Sequence, residues 1–356
     1  MYDYGDAPAK DVVELVIFGP GYGEAIAVHV GDENWLLVDS CLSPSSKLPA
    51  SIEYLNVVGV PLTNVHTIVA SHWHDDHVKG LAHMVKSCPN ATLYISGVFD
   101  NKEAKAFLSA FGGKAVSTHT AGAKELFNAI SVSPKSPCLT NHRTLIWEGK
   151  VHGKAMRAVA FSPTPKAGTH SIAHMAQYLP KINDPIKHVV ELKPNLEAIV
   201  ININLGDDSI LLGSDLEDHG NLGWTSIVGD SWCLSNQVAS LYKISHHGSS
   251  TGDHPDIWKK LLKNSPTACL TPFINGSVRL PNADDLKRIV SNAKLAYTSS
   301  NGTKRPQIDS NLLKRMAQMA KKVAPISTGF GAIRFRRNIN EKDWNVELFG
   351  QATQLV

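Results

Sequence analysis

Between Thr67 and Val85 the chain runs from a short β-branched stretch, Thr67-Ile68-Val69-Ala70, through His72-Trp73-His74-Asp75-Asp76-His77, into a helical pattern opening at Gly80-Leu81-Ala82-His83-Met84-Val85. The first stretch reads as a buried strand and the last as a helix, so the hexapeptide lies on a strand-to-helix loop. Ligands on such a loop can converge over a cleft. Three imidazoles and a carboxylate at the spacing HxHxDH are the donors that borderline divalent ions such as zinc prefer. A hexapeptide alone cannot enclose two metals, so the fold must bring further donors to it. Ser209-Ile210-Leu211-Leu212-Gly213-Ser214-Asp215 is an apolar strand ending at an aspartate. Ala239 to Ser245 is another short strand, ending in His246-His247-Gly248-Ser249. Strand ends that deliver Asp and His to one rim are the pattern of a dinuclear site.

The remaining elements follow in a consistent order. Val12–Phe18, Ala25–Val30 and Asn34–Val38 are β-rich runs broken by Gly-rich or Asp-Glu-Asn turns. Ile52–Val58 and Lys102–Phe111 read as helices, and Leu93–Ser96 as a strand. Ala158–Phe161 is a strand, and Ala198–Leu205 with Ile210–Gly213 a hairpin. Asp256–Leu262, Ala283–Val290 and Leu312–Val323 read as helices; Ala332–Arg336 and Trp344–Leu348 close with a hairpin. Strands, helices, strands, helices suit two sheets packed face to face with helices outside. Residues 164–194 form a long run where a short connection is expected, which reads as a lid or insertion. A second basic loop spans Ser299 to Pro306. Arg334, Arg336 and Arg337 alternate with Ile333 and Phe335, and so read as a solvated strand face.

HxHxDH, then a strand-end Asp, then a strand-end His, resembles the metallo-β-lactamase-fold hydrolases. Phe18-Gly19-Pro20-Gly21-Tyr22-Gly23-Glu24-Ala25, followed by Trp35-Leu36-Leu37-Val38-Asp39-Ser40, resembles that fold's opening hairpin. The run Asn195 to Asp215 and the phrase Lys243-x-x-His246-His247-Gly248-Ser249 are similar to the soluble hydrolase domain of ComEC-type DNA-uptake proteins. The resemblance covers roughly residues 12–300. It implies an α/β protein, a four-layer αββα sandwich forming one domain over residues 1–356. It also implies a dinuclear centre of divalent metal ions, Zn²⁺ first and Mn²⁺ as the alternative. His72 and His74 would hold one ion, Asp76 and His77 the other, and Asp215 would bridge them.

A later His completes the second site, and the pair at 246–247 leaves two choices. Strand alternation sends the two to opposite faces; His246, directly at the strand end, is the expected ligand, and His247 then contacts substrate or protonates a leaving group. Asp76 and His247 take the catalytic roles, and Lys243 and Ser249 substrate binding. Asp39, ending an apolar strand near the motif, is expected to orient a ligand histidine from behind. Many relatives supply another His from a strand before the bridging Asp; here that place is Phe161-Ser162-Pro163, and His152, His170 and His174 read as surface or lid residues.

Apolar content of 43% and charged content of 19% suit a soluble globular enzyme. No run of about eighteen apolar residues occurs, so no transmembrane helix is expected. The acidic, polar start Met1 to Asp6 is unlike a secretory signal, and a cytoplasmic protein is the simplest expectation. The net charge of +3 is too weak to imply nucleic acid and does not repel a polyanion. Five cysteines, at 41, 88, 138, 233 and 269, lack a CxxC pair and read as buried thiols. The expected activity is metal-dependent hydrolysis by an activated hydroxide, of a phosphodiester such as nucleic acid. The alternatives are a lactonase, thioesterase or β-lactamase-like activity on a small molecule, or a non-catalytic metal-binding subunit with a protein partner.

Overall fold

Runs of aliphatic and β-branched residues without polar alternation, such as Val12–Gly19, Trp35–Val38 and Ser209–Leu212, make strands buried on both faces. The computed structural model describes residues 2–19, 23–112, 121–179, 194–275, 277–300, 315 and 329–355. One sheet starts with β1 (Val12–Gly19), β2 (Ala25–His29), β3 (Trp35–Val38), β4 (Val65–Val69), β5 (Thr92–Ser96) and β6 (Cys138–Thr140). The other starts with β7 (Leu145–Val151), β8 (Lys154–Ala160), β9 (Ile201–Asn204), β10 (Ser209–Leu212), β11 (Ala239–Lys243) and β12 (Leu262–Leu270). A small hairpin, β13 (Phe273–Asn275) with β14 (Val278–Leu280), precedes β15 (Leu295–Thr298), which widens the second sheet. Then β16 (Gly331–Asn338) and β17 (Asn345–Gly350) return to the first sheet and β18 (Thr353–Gln354) to the second. The spatial orders are β17-β16-β1-β2-β3-β4-β5-β6 and β18-β15-β12-β11-β10-β9-β8-β7.

Side-chain alternation along these strands builds the layers. Leu15, Ile17, Ile26, Val28, Leu36 and Val38 face Ala158, Ala160, Ile201, Ile203, Ile210 and Leu212 between the sheets. Val16, Phe18, Leu37 and Ile68 point the other way, into one core with residues of α1 (Ala50–Val57), α3 (Leu81–Ser87), α4 (Lys102–Gly112) and α5 (Ala121–Val132). The single turn α2 (Asp75–Val78) precedes α3. On the far side, Val159, Leu211, Tyr242 and Ala268 share a core with Trp224 and Ile227 of α7 (Trp224–Val228) and Ile289 of α9 (Ala283–Asn292). The result is helices, sheet, sheet, helices: the αββα sandwich that the element order predicts.

The strand directions position the rim. β3 pairs parallel with β4 (Val38 opposite Val69), and β10 parallel with β11 (Leu212 opposite Lys243). The carboxyl ends of these parallel strands therefore open onto one edge, where α/β sheets characteristically bind ligands. Asp39, Ser71 to His77, Asp215 and His246-His247 all follow those ends.

Several expectations need correction. Asp256–Leu262 is one tight turn, Ile257–Leu261, followed at once by strand β12. α5 is an element that the sequence pattern does not announce. The excursion at 164–194 opens as a helix, α6 (Pro165–Ala176), whose N-cap is Thr164, with Pro165 at its first position. Residues 180–193 lie outside the described residues, as do Leu312–Val323 apart from Arg315, and the loop Ser299–Pro306 beyond Ser300. Cys138 is exposed, unlike the other four thiols. The arginine strip is not solvated: Arg334 donates twice to Glu347 at 2.8 Å, Arg336 pairs with Glu14, and Arg337 lies 2.7 Å from Asp208. Each guanidinium on β16 thus meets a carboxylate, and the strip has no free face for phosphate. Among the described residues no helix is long and apolar enough to cross a membrane.

The Arg337–Asp208 pair joins β16 of the first sheet to the β9–β10 turn of the second, and both side chains are 4% exposed. Asp208 also accepts from Ser240 Oγ at 2.6 Å and Lys263 Nζ at 2.9 Å. Burial opposes its ionisation, but these donors outweigh it and hold the carboxyl below its ordinary value of 3.8. Its contribution to stability is complete above that ordinary value and is lost as pH falls through the depressed one. Asp208→Asn strands the Arg337 charge and should destabilise by about 3–5 kcal/mol near neutral pH. In urea unfolding the gap from wild type should narrow as the pH drops below the ordinary carboxylate range; a gap independent of pH would refute the ion-pair account.

Candidate metal centre

The loop after β4 turns sharply enough that His72, His74 and His77 crowd together. His72 Nε2 is 3.1 Å from His74 Nδ1, and the His72 and His77 ring centroids are 4.3 Å apart. α5 packs hard against this loop at Gly122, where a Cβ would stand 1.9 Å from the Trp73 carbonyl oxygen, so only glycine fits. Trp73 itself points away, donating from Nε1 to Glu197 Oε1 at 2.6 Å.

Four side chains from three separate stretches then converge. Asp76, His77, Asp215 and His247 each offer one donor atom, and these atoms lie within 4.8 Å of one another. His247 Nε2 is 3.1 Å from Asp215 Oδ2 and 3.3 Å from Asp76 Oδ2; His77 Nε2 is 3.3 Å from Asp215 Oδ2. Neither Nε2 makes a hydrogen bond, nor does Asp215 Oδ1, although all three are buried. Buried polar atoms left in this state demand a partner. Two imidazole nitrogens and two carboxylates turned on one point fit a divalent cation of the zinc type.

The opposite edges of the rings fix their orientation. His77 Nδ1 lies 2.7 Å from Asp39 Oδ2, and Asp39 is held by Ser71 N and Ser71 Oγ, each at 2.7 Å. His247 Nδ1 lies 3.0 Å from the Thr271 carbonyl oxygen. With Nδ1–H donating in each ring, Nε2 keeps its lone pair for the centre. Burial opposes the charged forms of all four groups, but mutual attraction outweighs it: the carboxylates raise His77 well above and His247 above the ordinary imidazole value. In return the imidazoles hold Asp76 below and Asp215 well below the usual carboxylate range. Burial, then repulsion from His77 and His74, drives His72 well below 6.5; burial also lowers His74. Those two are neutral donors beside the four.

The choice between the paired histidines falls to His247. His246 and His247 both have left-handed backbones, φ 45° and 52°, so extended-strand alternation does not apply to them. His247 swings inward. His246, expected as the ligand, lies on the rim with its side chain 18% exposed, its Nδ1 2.8 Å from Thr251 Oγ1 and 3.4 Å from Glu217 Oε1. Lys243, expected to bind substrate, is fully buried behind the donors: its Nζ is 2.8 Å from Glu24 Oε1, 3.8 Å from Asp215 Oδ1, and donates to the Ser214 carbonyl at 3.0 Å. Ser249 is 7% exposed, and its hydroxyl caps the next turn by accepting from Thr251 N, so it serves the chain reversal rather than a ligand. Ser162 accepts from Val200 N and donates to the Ala198 carbonyl, which gives the Phe161-Ser162-Pro163 phrase a knitting role without a donor for metal. His170 and His174 lie on α6 and line a cavity of about 10 Å³ with Trp73 and Glu197. His152 occupies the β7–β8 turn with φ 48°. Sequence reasoning passes over Glu24, Asn195, Glu217 and Thr271. Of these only Glu24 is visible in the pattern, as an acid set directly before the apolar strand Ala25–His29.

Two variants separate donors from supports. His247→Ala should abolish tight binding of Zn²⁺ or Mn²⁺ while His246→Ala retains it, as read by competition with a chelator. Asp39→Asn should weaken binding by about 10- to 100-fold, the usual effect of removing a group that orients a ligand histidine. Equal binding by the two histidine variants would refute the geometry.

A model of the metallo-beta-lactamase superfamily matches residues 18–137. No curated protein matches the chain. Among solved structures, the metallo-beta-lactamase fold protein YhfI from Bacillus subtilis is similar at 13% identity, with 65% of this chain and 70% of that one covered and a TM-score of 0.33. A putative metallo-beta-lactamase from Thermotoga maritima is similar at 15% identity, over 54% of this chain and 67% of that one, with a TM-score of 0.30. A metallo-beta-lactamase from Cronobacter sakazakii, a mutant in its HARLDQ motif, is similar at 17% identity, over 58% and 63%, with a TM-score of 0.32. The matched stretch 18–137 delivers Asp39 and all of His72 to His77, and the fold completes the donor set with Asp215 and His247 from beyond it.

Proposed function

We propose that the chain is a metal-dependent hydrolase of phosphodiesters, with nucleic acid as the substrate class. The observation that carries the hydrolase reading is the four-donor group Asp76, His77, Asp215 and His247, with its unpartnered imidazole nitrogens. These four would hold one divalent cation, and we assign His72 and His74 to a second, with zinc preferred over manganese for a set this rich in imidazole. Bound cations supply water activated at neutral pH and offset negative charge on the reacting group. The similarity of the Lys243 to Ser249 phrase to ComEC-type domains supports phosphorus over a carbonyl as the centre attacked.

The protein's own groups divide the remaining work. Asp39 and Thr271 hold the two ring tautomers, and the Lys243–Glu24 pair holds Asp215 from behind. His246 is the one imidazole of this cluster left outside the donor set, on the rim beside Glu217 and with Nε2 3.4 Å from Asn195 Nδ2. We assign it the proton for the departing alkoxide: the P–O bond to the leaving oxygen breaks, and that oxygen takes the proton from His246 Nε2. Glu217 Oε1, 3.4 Å from Nδ1 of the same ring, helps to orient it.

With Mn²⁺ or Zn²⁺ the purified protein should cleave bis(p-nitrophenyl) phosphate and single-stranded DNA, and His74→Ala should lose both activities. p-Nitrophenolate leaves without a proton and a nucleoside alkoxide does not. His246→Ala should therefore slow DNA cleavage by roughly 10²–10⁴-fold, the usual contribution of a general acid, and leave the activated ester nearly unaffected. Turnover of lactone or thioester probes alone, with none on either phosphodiester, would overturn the phosphodiester reading.

A further inference from the structure

A second set of donors converges elsewhere in the fold, sharing no residue with the first. His142 stands in the turn between β6 and β7, and Asp230 and Cys233 stand at the start of α8 (Ser231–Leu234). His142 Nε2 is 3.5 Å from Cys233 Sγ and 3.6 Å from Asp230 Oδ2, and one donor atom from each residue lies within 4.8 Å of the other two. Imidazole, carboxylate and thiol are the three donor types that borderline divalent ions combine.

Asp230 and His142 are each held in place through atoms other than the ligating one. Asp230 Oδ1 accepts from Trp232 N at 2.8 Å and Cys233 N at 3.0 Å, which leaves Oδ2 turned to His142. The backbone N–H of His142 donates to the Pro163 carbonyl at 2.9 Å, and its ring stands edge-on to Trp232 with centroids 5.4 Å apart. Cys233 forms the floor, 1% exposed, while the side chains of His142 and Asp230 are 14% and 26% exposed, so water reaches the group from one side. Arg143 occupies the same charge position: its Nη2 is 3.3 Å from Asp230 Oδ2, and its guanidinium lies over Trp232. With 53% of its side chain exposed it can swing into solvent when a cation arrives.

We propose that His142, Asp230 and Cys233 form a second cation site, for a divalent ion of the zinc class, that clamps the β6–β7 turn to α8 and its N-cap. Binding forms a sulfur–metal bond, and the thiol proton goes to water; His142 Nε2 and Asp230 Oδ2 supply lone pairs, and water fills the fourth position. A dication with one thiolate and one carboxylate is neutral overall, which suits a half-buried site. Burial, then the Asp230 charge, push the metal-free thiol up to about 12, so without a cation Cys233 stays protonated and unreactive.

The test is cobalt titration of the full chain, because thiolate ligation gives a near-ultraviolet sulfur-to-cobalt charge-transfer band that the first centre, with no sulfur donor, does not produce. The wild type should develop this band to a plateau whose intensity corresponds to one thiolate-bound cobalt per chain, and Zn²⁺ should abolish it by competition. Asp215→Asn, which disables the first centre, and Cys138→Ser, which removes the exposed thiol, should leave the band intact; Cys233→Ser should lose it. His142→Ala keeps the thiol and should bind cobalt far more weakly, which serves if Cys233→Ser does not fold. No band in the wild type at saturating cobalt, a band surviving Cys233→Ser, or unchanged affinity in His142→Ala would each overturn the site.

Discussion

A fully buried ammonium organises the rim. Lys243 ends β11 in the second sheet, yet its strongest partner, Glu24, precedes β2 in the first. An unpaired charge there would cost several kcal/mol, so the two sheets are obliged to present their strand ends in register for Glu24, Lys243 and Asp215 to meet. Thr271 donates to the second oxygen of Glu24 at 2.5 Å, and the same residue's carbonyl receives Nδ1 of His247. One polar chain thus runs from the first sheet through a lysine and a threonine to two of the four converging donors. Burial opposes the charge on Lys243, but attraction to Glu24 and Asp215 outweighs it and raises the ammonium above its ordinary value, so its charge persists across the physiological range.

The backbone at the rim is held in unusual shapes. Asp39, Ser214, His246 and His247 are all non-glycine residues with left-handed φ between 45° and 58°, and all follow strands β3, β10 or β11. Each such residue costs of order 1 kcal/mol or more and persists only where its surroundings over-determine it. Here the surroundings are hydrogen bonds: Asp39 N to the Val69 carbonyl, Ser40 N to His77 O, and His246 N to Ser214 O. The reversal after each strand aims the side chain back over the strand end. An extended continuation would carry it into solvent.

This explains what was legible in the sequence and what was not. The His72 to His77 loop, Asp215 and Asp39 could be read because each sits where an apolar strand stops, and position along the strand decides where such a residue goes. His246 and His247 could not be ordered, because the answer lies in two successive left-handed residues that no alternation rule describes. Lys243 and Glu24 were opaque for a different reason: a lone charge in an apolar run reads as surface or substrate contact until its partner, from the other sheet, is known. β12 was hidden by Lys263, Asn264 and Pro266, residues that argue against a strand; parallel neighbours on both sides, β11 and β15, override that local preference. The β16 arginines misled in the same way, since Arg336 and Arg337 find their carboxylates in distant segments and Arg334 finds its own across the closing hairpin.

The pairing of β1 carries a further implication for how the protein is made. β1 has β2 on one side and β16 on the other, antiparallel from Val12 opposite Asn338 to Gly19 opposite Gly331. During translation the first of these neighbours emerges from the ribosome almost at once and the second only after the intervening residues 20–330. Until then a long apolar edge stands open, the kind of surface that nascent chains must have shielded by chaperones.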